Sequence, residues 1–348
     1  MTDTIAPAAG PTVKEQGGAL LAHAAGYASH RTIGIGLRSG LLAELDRAAD
    51  GATPGQLAER LGMDPFYVSV WCRAAFAAGV CECAGDGYRL ASHMATLLLD
   101  QSSPAYAGGV FTVLEQHEMF GRFEASLASG ERMWWADTSP DWIANVSVTG
   151  TPFYTRLVPG GLQQVPGLNE RLAGGGVIVD SACGTGVGLV RLAAHYPDSR
   201  LVGVDGDQHS IDVATARVAE AGLADRVRLI CSPLEDFEVP EPAALVVNNI
   251  SMHECRDIDQ VTRCVYEALE PGGWFVISDF PFPDTDEGLR GVPGRVMGAI
   301  QFFEAQIDDQ LLPRAYYDGL LARHGFTDAG SASITPMHAV TWARRPLP

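Results

Sequence analysis

The stretch Val177-Ile178-Val179-Asp180-Ser181-Ala182-Cys183-Gly184-Thr185-Gly186-Val187-Gly188 constrains the fold of this chain more than any other. An apolar, β-branched run without polar alternation suits a parallel strand covered on both faces. It breaks into clustered glycines, and a helical pattern follows from Leu189 to Ala194. Glycines at such a turn let backbone N–H groups approach a ligand at the start of a helix. The segment reads as a nucleotide-binding loop.

The next strand-like run, Arg200 to Asp205, ends in a carboxylate roughly 20 residues beyond the glycines, the distance at which a ribose diol is met. A dinucleotide fold prefers G-x-G-x-x-G, whereas here Asp180 precedes A-C-G-T-G, so the pyrophosphate reading weakens. A further strand-like run spans Leu245 to His253. The turn Leu269-Glu270-Pro271-Gly272-Gly273 then leads into Trp274 to Asp279. Strands and helices alternate throughout, the pattern of a parallel sheet with helices on both faces.

These four signals, in this order, resemble the class I S-adenosylmethionine (SAM)-dependent methyltransferases. The resemblance implies a Rossmann-like, doubly wound, seven-stranded sheet, ending in a helix, Gly325-Phe326 and an antiparallel hairpin. It places Asp180, Ala182, Gly184 and Gly186 near the methionine part of SAM and Asp205 on the ribose hydroxyls. Glu235, Asp236 and Phe237 would lie beside adenine, with Asp236 the choice for its amino group, and Asn249 would complete the cofactor site. S-adenosylhomocysteine (SAH) would be the product.

Methyl transfer from a sulfonium chiefly requires alignment of nucleophile, methyl and sulfur. A hydroxyl or acidic carbon must also lose a proton, work that suits a histidine. Met252-His253-Glu254-Cys255-Arg256-Asp257 resembles the H-D/N-W-x-D motif of the caffeic-acid and chalcone type O-methyltransferases, whose histidine is the general base. Cys255 departs from the usual tryptophan. Asp279, Glu304 or Asp257 would orient His253, and spacing does not choose among them. Trp134, Trp135, Tyr154, Met252, Phe302 and Phe303 are candidates for the substrate pocket, although such aromatic clusters also serve domain packing. No metal is expected, because no ligand-spaced pair such as H-x-x-x-H occurs and only a fold bringing His324, His338 or Glu304 to His253 would assemble a set.

The formal charge of −18 opposes a polyanionic partner, so no nucleic acid is expected. Lys14 is the only lysine, which excludes a P-loop lysine or a lysine Schiff base in the folded body. Seven cysteines without framework spacing suit reduced thiols. No apolar run reaches the roughly 18 residues of a membrane span, and no secretory signal pattern begins the chain, so a cytoplasmic location and no membrane partner are expected.

Residues 1–15 read as a disordered tail and 16–100 as a mainly helical winged-helix dimerisation domain. The helical pattern from Ala19 to Ala49 is interrupted around Gly34 and Gly40. Residues 101–170 read as a helical connector and substrate cover, with a helical stretch from Tyr106 to Ala128 and then aromatic residues among polar and turn residues, and 171–348 as the catalytic domain. Thr53 to Pro65 has helix-turn-helix spacing, and Ala78 to Cys83 with Gly87 to Leu90 suggests a two-stranded wing. The second helix carries Phe66, Tyr67, Val70, Trp71 and Phe76 but only Arg73 among DNA-reading side chains, which favours a homodimer over a DNA reader. The expected function is methyl transfer to a small molecule, foremost a hydroxyl oxygen of a bacterial secondary metabolite. Carbon or nitrogen acceptance, a SAM-binding decarboxylase or cyclase, and a SAM-sensing regulator are the alternatives.

Overall fold

Thr12 Oγ1 accepts the N–H of Glu15 at 3.3 Å, and Glu15 Oε2 accepts the N–H of Thr12 at 2.7 Å. This capping box starts helix α1 (Val13–Arg38) three residues inside the stretch expected to be a tail. The computed structural model describes residues 10–348, so most of that tail lies outside the described residues. Helix α1 also runs unbroken through Gly34, where an interruption was expected, and stops before Gly40, whose φ is +79°.

The chain divides after Asp100 into two compact units. In the first, α2 (Leu41–Arg47) is followed by α3 (Pro54–Leu61), capped by Thr53 and stopped by Gly62 in the left-handed region. Asp64 then accepts the N–H groups of Phe66 and Tyr67 and opens α4 (Pro65–Ala77). Strands β1 (Cys81–Ala84) and β2 (Gly87–Leu90) form an antiparallel hairpin, and α5 (Met94–Leu98) closes the unit.

The second unit begins with α6 (Val110–Val113) and α7 (Gly121–Ser126), where one continuous helix from 106 to 128 was expected. Gly108 and Gly109 account for the late start of α6, since glycine disfavours a helix interior. Conversely, α8 (Pro140–Arg156) occupies a stretch read as polar and turn residues. Ser139 caps it, Pro140 fits its first turn, and Thr149, Thr151 and Thr155 bond back to carbonyls four residues earlier. Helix α9 (Leu168–Leu172) leads into the sheet.

From there the order is β3 (Val177–Ser181), α10 (Val187–His195), β4 (Arg200–Asp205), α11 (Gln208–Glu220), β5 (Val227–Cys231), β6 (Ala243–Asn249), α12 (Ile258–Ala268) and β7 (Leu269–Asp279). Helices α13 (Asp286–Arg290), α14 (Val292–Glu304) and α15 (Arg314–Arg323) precede the hairpin β8 (Thr327–Thr335) and β9 (His338–Arg344). The seven strands lie in the order β5-β4-β3-β6-β7-β9-β8, parallel except where β9 pairs with β7 and β8. Apolar cores cover both faces, as expected of a doubly wound sheet. The order reverses at β3, so the carboxyl ends of β3, β4 and β6 frame a crevice. Among the described residues no helix is long and apolar enough to cross a membrane.

Candidate active site

The crevice holds a cavity of about 360 Å³. Its floor is the loop after β3, where Ala182 and Gly184 take positive φ and line the space. A Cβ at Gly184 would meet no protein atom, so the glycine leaves room at the cavity. Gly186 does not line it. Its φ is +79° and a Cβ there would lie 3.1 Å from Ala214, which makes it a packing glycine. Thr185 Oγ1 lies 2.8 Å from Ser147 Oγ, which ties the loop to α8.

Asp205, at the end of β4, lines the cavity. Its Oδ2 accepts the N–H of Gly184 at 2.8 Å and its Oδ1 that of Asp207 at 2.9 Å. Burial raises its carboxyl and these backbone bonds lower it. Each oxygen keeps a lone pair for a ribose hydroxyl.

Asp180 is fully buried and does not line the cavity. Tyr154 from α8 covers it, donating its hydroxyl to both carboxylate oxygens at 3.0 Å. Burial pushes Asp180 well above the usual carboxylate range, against the Tyr154 bond. Tyr154, rather than Asp180, lines the cavity. Gly188 makes this possible, because a Cβ there would lie 2.1 Å from the Tyr154 ring.

After β5, Leu234 and Glu235 line the cavity, whereas Asp236 is exposed away from it and Phe237 is buried in the core. The adenine contact expected of Asp236 and Phe237 is thus available only to their neighbours. Trp134 and Trp135 line the opposite wall, and the Arg256 guanidinium stacks 3.4 Å from the Trp134 ring centroid. Three other pocket candidates do not reach it. Met252 is packed in the core. Phe303 stacks on Trp135 and Trp142, and Phe302 turns toward Phe120 and Phe123.

The short 3-10 turn Met252–Glu254 follows β6. His253 Nδ1 lies 2.8 Å from Asp279 Oδ2, which also accepts the Tyr317 hydroxyl at 2.5 Å, so Asp279 is the orienting partner that spacing left open. His253 Nε2 is 3.8 Å from Glu304 Oε1 and 3.9 Å from Glu254 Oε1. His253 itself does not line the cavity, and Glu254 takes that place. Burial would lower the imidazole, but Asp279 and Glu304 hold it well above its ordinary value. Burial, with repulsion from Glu304, pushes Glu254 well above the usual carboxylate range against the pull of His253.

His253, Glu254 and Glu304 each bring one ligand atom to within 4.8 Å of the others, a set able to hold a divalent ion. The spacing along the chain carries no sign of it, because Glu304 arrives from α14. His324 bonds Asp259 and His338 bonds Ser278, so neither joins the set.

Residues 178–273 match a family described as a methyltransferase domain. This segment is a methyltransferase domain. It carries the glycine loop, Asp205, Asn249 and the His253–Glu254 turn. The chain is 31% identical over 127 residues to dTDP-4-amino-2,3,4,6-tetradeoxy-D-glucose N,N-dimethyltransferase of Saccharopolyspora spinosa, an alignment covering 35% of this chain and 46% of that one. It spans 28–46% of the length of the first curated relatives it matches. Two solved structures share the fold over almost the full length. An O-methyltransferase family protein from Burkholderia thailandensis has a TM-score of 0.70 at 19% identity, with 97% of this chain and 99% of that chain covered. Human N-acetylserotonin methyltransferase in complex with SAM has a TM-score of 0.67 at 15% identity, with 97% and 100% covered. The fold around the methyltransferase domain is the class I fold, and the N-terminal helical unit lies within the shared span.

Proposed function

We propose that the protein is a SAM-dependent methyltransferase acting on a hydroxyl oxygen of a small molecule. The observation that carries the reading is the cavity itself, which joins the glycine loop and Asp205 on one side to Glu254 and the two tryptophans on the other. SAM would lie along the loop, with Asp205 on its ribose, and the acceptor against Trp134 and Trp135. The acceptor oxygen attacks the methyl carbon, the carbon–sulfur bond breaks, and its electron pair returns to sulfur as SAH. The hydroxyl proton passes to the Glu254 carboxylate, a raised carboxyl and hence a stronger base than an ordinary one. His253, held as imidazolium by Asp279, positions Glu254 from behind rather than serving as the base itself.

Incubation with SAM carrying a deuterated methyl group and a small-molecule extract of the source organism tests this. A labelled O-methyl product is expected. Consumption of an extract component without label would instead favour a SAM-dependent decarboxylation or cyclisation, and label on nitrogen or carbon would move the acceptor atom. The clustering of His253, Glu254 and Glu304 favours one second reading, in which these three side chains would hold a divalent ion that would supply Lewis-acid activation of the hydroxyl. Loss of activity in chelator, restored by magnesium or manganese, would replace the base by the metal.

The first unit serves, in this reading, as a dimerisation domain of winged-helix type. Leu20, Leu21 and Tyr27 on α1 and Phe66 and Tyr67 on α4 are each at least 68% exposed, apolar area that a second copy would cover. Light scattering should give twice the chain mass, and a monomer would remove the proposal.

A further inference from the structure

Four side chains outside the His253 cluster form a directed hydrogen-bond chain that ends at the cavity wall. Arg156 Nε donates to His338 Nδ1 at 3.2 Å. A guanidinium has donors only, so Nδ1 must be the unprotonated nitrogen. His338 is fully buried, and burial together with the Arg156 charge lowers it to about 3, which keeps the ring neutral. The single ring proton therefore sits on Nε2, 2.8 Å from Ser278 Oγ. Ser278 accepts it and gives its own proton to Asn249 Oδ1 at 2.7 Å.

The two ends of an asparagine amide are usually interchangeable choices. Here the obligate donor three links away decides, because Ser278 Oγ already accepts from His338, and a reversed amide would aim a second donor at it and take away the acceptor of its own proton. Asn249 has its oxygen engaged and only N–H left to offer. It is 2% exposed, it lines the cavity, and its Nδ2 has no acceptor in the protein. A buried donor without a partner calls for a ligand atom.

We propose that Asn249 is a donor-only anchor that holds an oxygen of the bound ligand, and that this position of the cavity rejects an amine or ammonium group. The inference rests on the methyltransferase reading above. A carboxylate or hydroxyl oxygen has two sources there, the methionyl carboxylate of the cofactor or the methyl acceptor. Arg156, His338 and Ser278 act through Asn249 and are positioning residues.

Calorimetric titration with SAH, beside formation of deuterated product, tests it in the wild-type chain, N249D and N249A. Asp is isosteric but offers an acceptor where the amide offers a donor. If the oxygen belongs to the cofactor, N249D loses at least tenfold in SAH affinity. If it belongs to the acceptor, SAH affinity holds and labelled product falls at least tenfold. In either arm N249A loses less than N249D, and N249D recovers as the pH falls from 8 to 5.5, because a protonated carboxyl donates again. S278A, which frees the amide to turn over, should show a smaller loss of the same kind. N249D equal to wild type in both measurements, or S278A without effect, overturns the inference. A wild-type chain that binds no SAH overturns the methyltransferase reading itself, before any variant is compared.

Discussion

The Tyr154 hydroxyl donates to both carboxylate oxygens of Asp180 from a helix 26 residues earlier in the chain. The pair is buried, so removing the donor leaves a carboxyl without its partner. Y154F should cost about 1–3 kcal/mol of stability, the penalty of an unsatisfied buried polar group. Urea unfolding followed by tryptophan fluorescence measures it. G188A should be at least as harmful, since its methyl would meet both the Tyr154 ring and Asp180 Oδ2. An unchanged midpoint in both variants would mean that the pair does not hold α8 on the sheet.

Asp205 fixes the glycine loop as well as offering itself to a ribose. An asparagine in its place keeps only one oxygen, so the N–H of Gly184 or Asp207 faces an amide nitrogen. D205N should weaken SAH binding ten- to a hundredfold, about 1.4–2.8 kcal/mol. Calorimetry at neutral pH reads this directly, and an affinity within twofold of wild type would remove Asp205 from the cofactor site.

His338 gives a pH dependence with a defined sign. Its folded value is lowered to about 3 while the unfolded chain takes up a proton near 6.5, so the unfolded state binds more protons between these limits. Its contribution is complete above pH 6.5 and is lost as the pH falls toward 3, in total about 4–5 kcal/mol by the linkage of 1.36 kcal/mol per unit. Denaturation midpoints between pH 7 and 4 should therefore fall less steeply in H338Q than in wild type. Parallel slopes would show that His338 is protonated in the folded chain.

The sheet was legible because its signals are local. Val177–Val179 and Leu245–Val247 announce buried strands by continuous apolar runs, and Gly184 and Asp205 stand at the turns where the crevice opens. Helix α8 was not legible, since its threonines, Gly150 and Pro152 all score poorly as helix formers and the tertiary packing of Trp142, Phe153 and Tyr154 decides. The pairs Tyr154–Asp180 and Ser278–His338 join residues 26 and 60 positions apart and leave no periodic trace. His253 drew attention by residue type, yet in a 3-10 turn successive side chains diverge by about 120°. Met252 enters the core, His253 meets Asp279, and Glu254 reaches the cavity.

That divergence makes Glu254 and His253 separable by experiment. E254Q preserves size but removes the carboxylate that faces the cavity, so kcat should fall about 10²–10⁴-fold, the usual contribution of general base catalysis. SAH affinity should change little. The wild-type rate should rise with pH through a value above the ordinary glutamate range, because Glu254 must be ionised to accept the proton and burial raises it. This acidic limb should vanish in E254Q. In H253Q the Glu254 carboxyl loses its neighbouring cation, which lifts it further, so the limb should move to higher pH rather than disappear. If H253Q abolishes the limb and E254Q retains it, His253 is the base after all. If both variants bind magnesium or manganese less tightly and wild-type activity tracks the ion, the His253–Glu254–Glu304 set is a metal site and the limb reports metal binding.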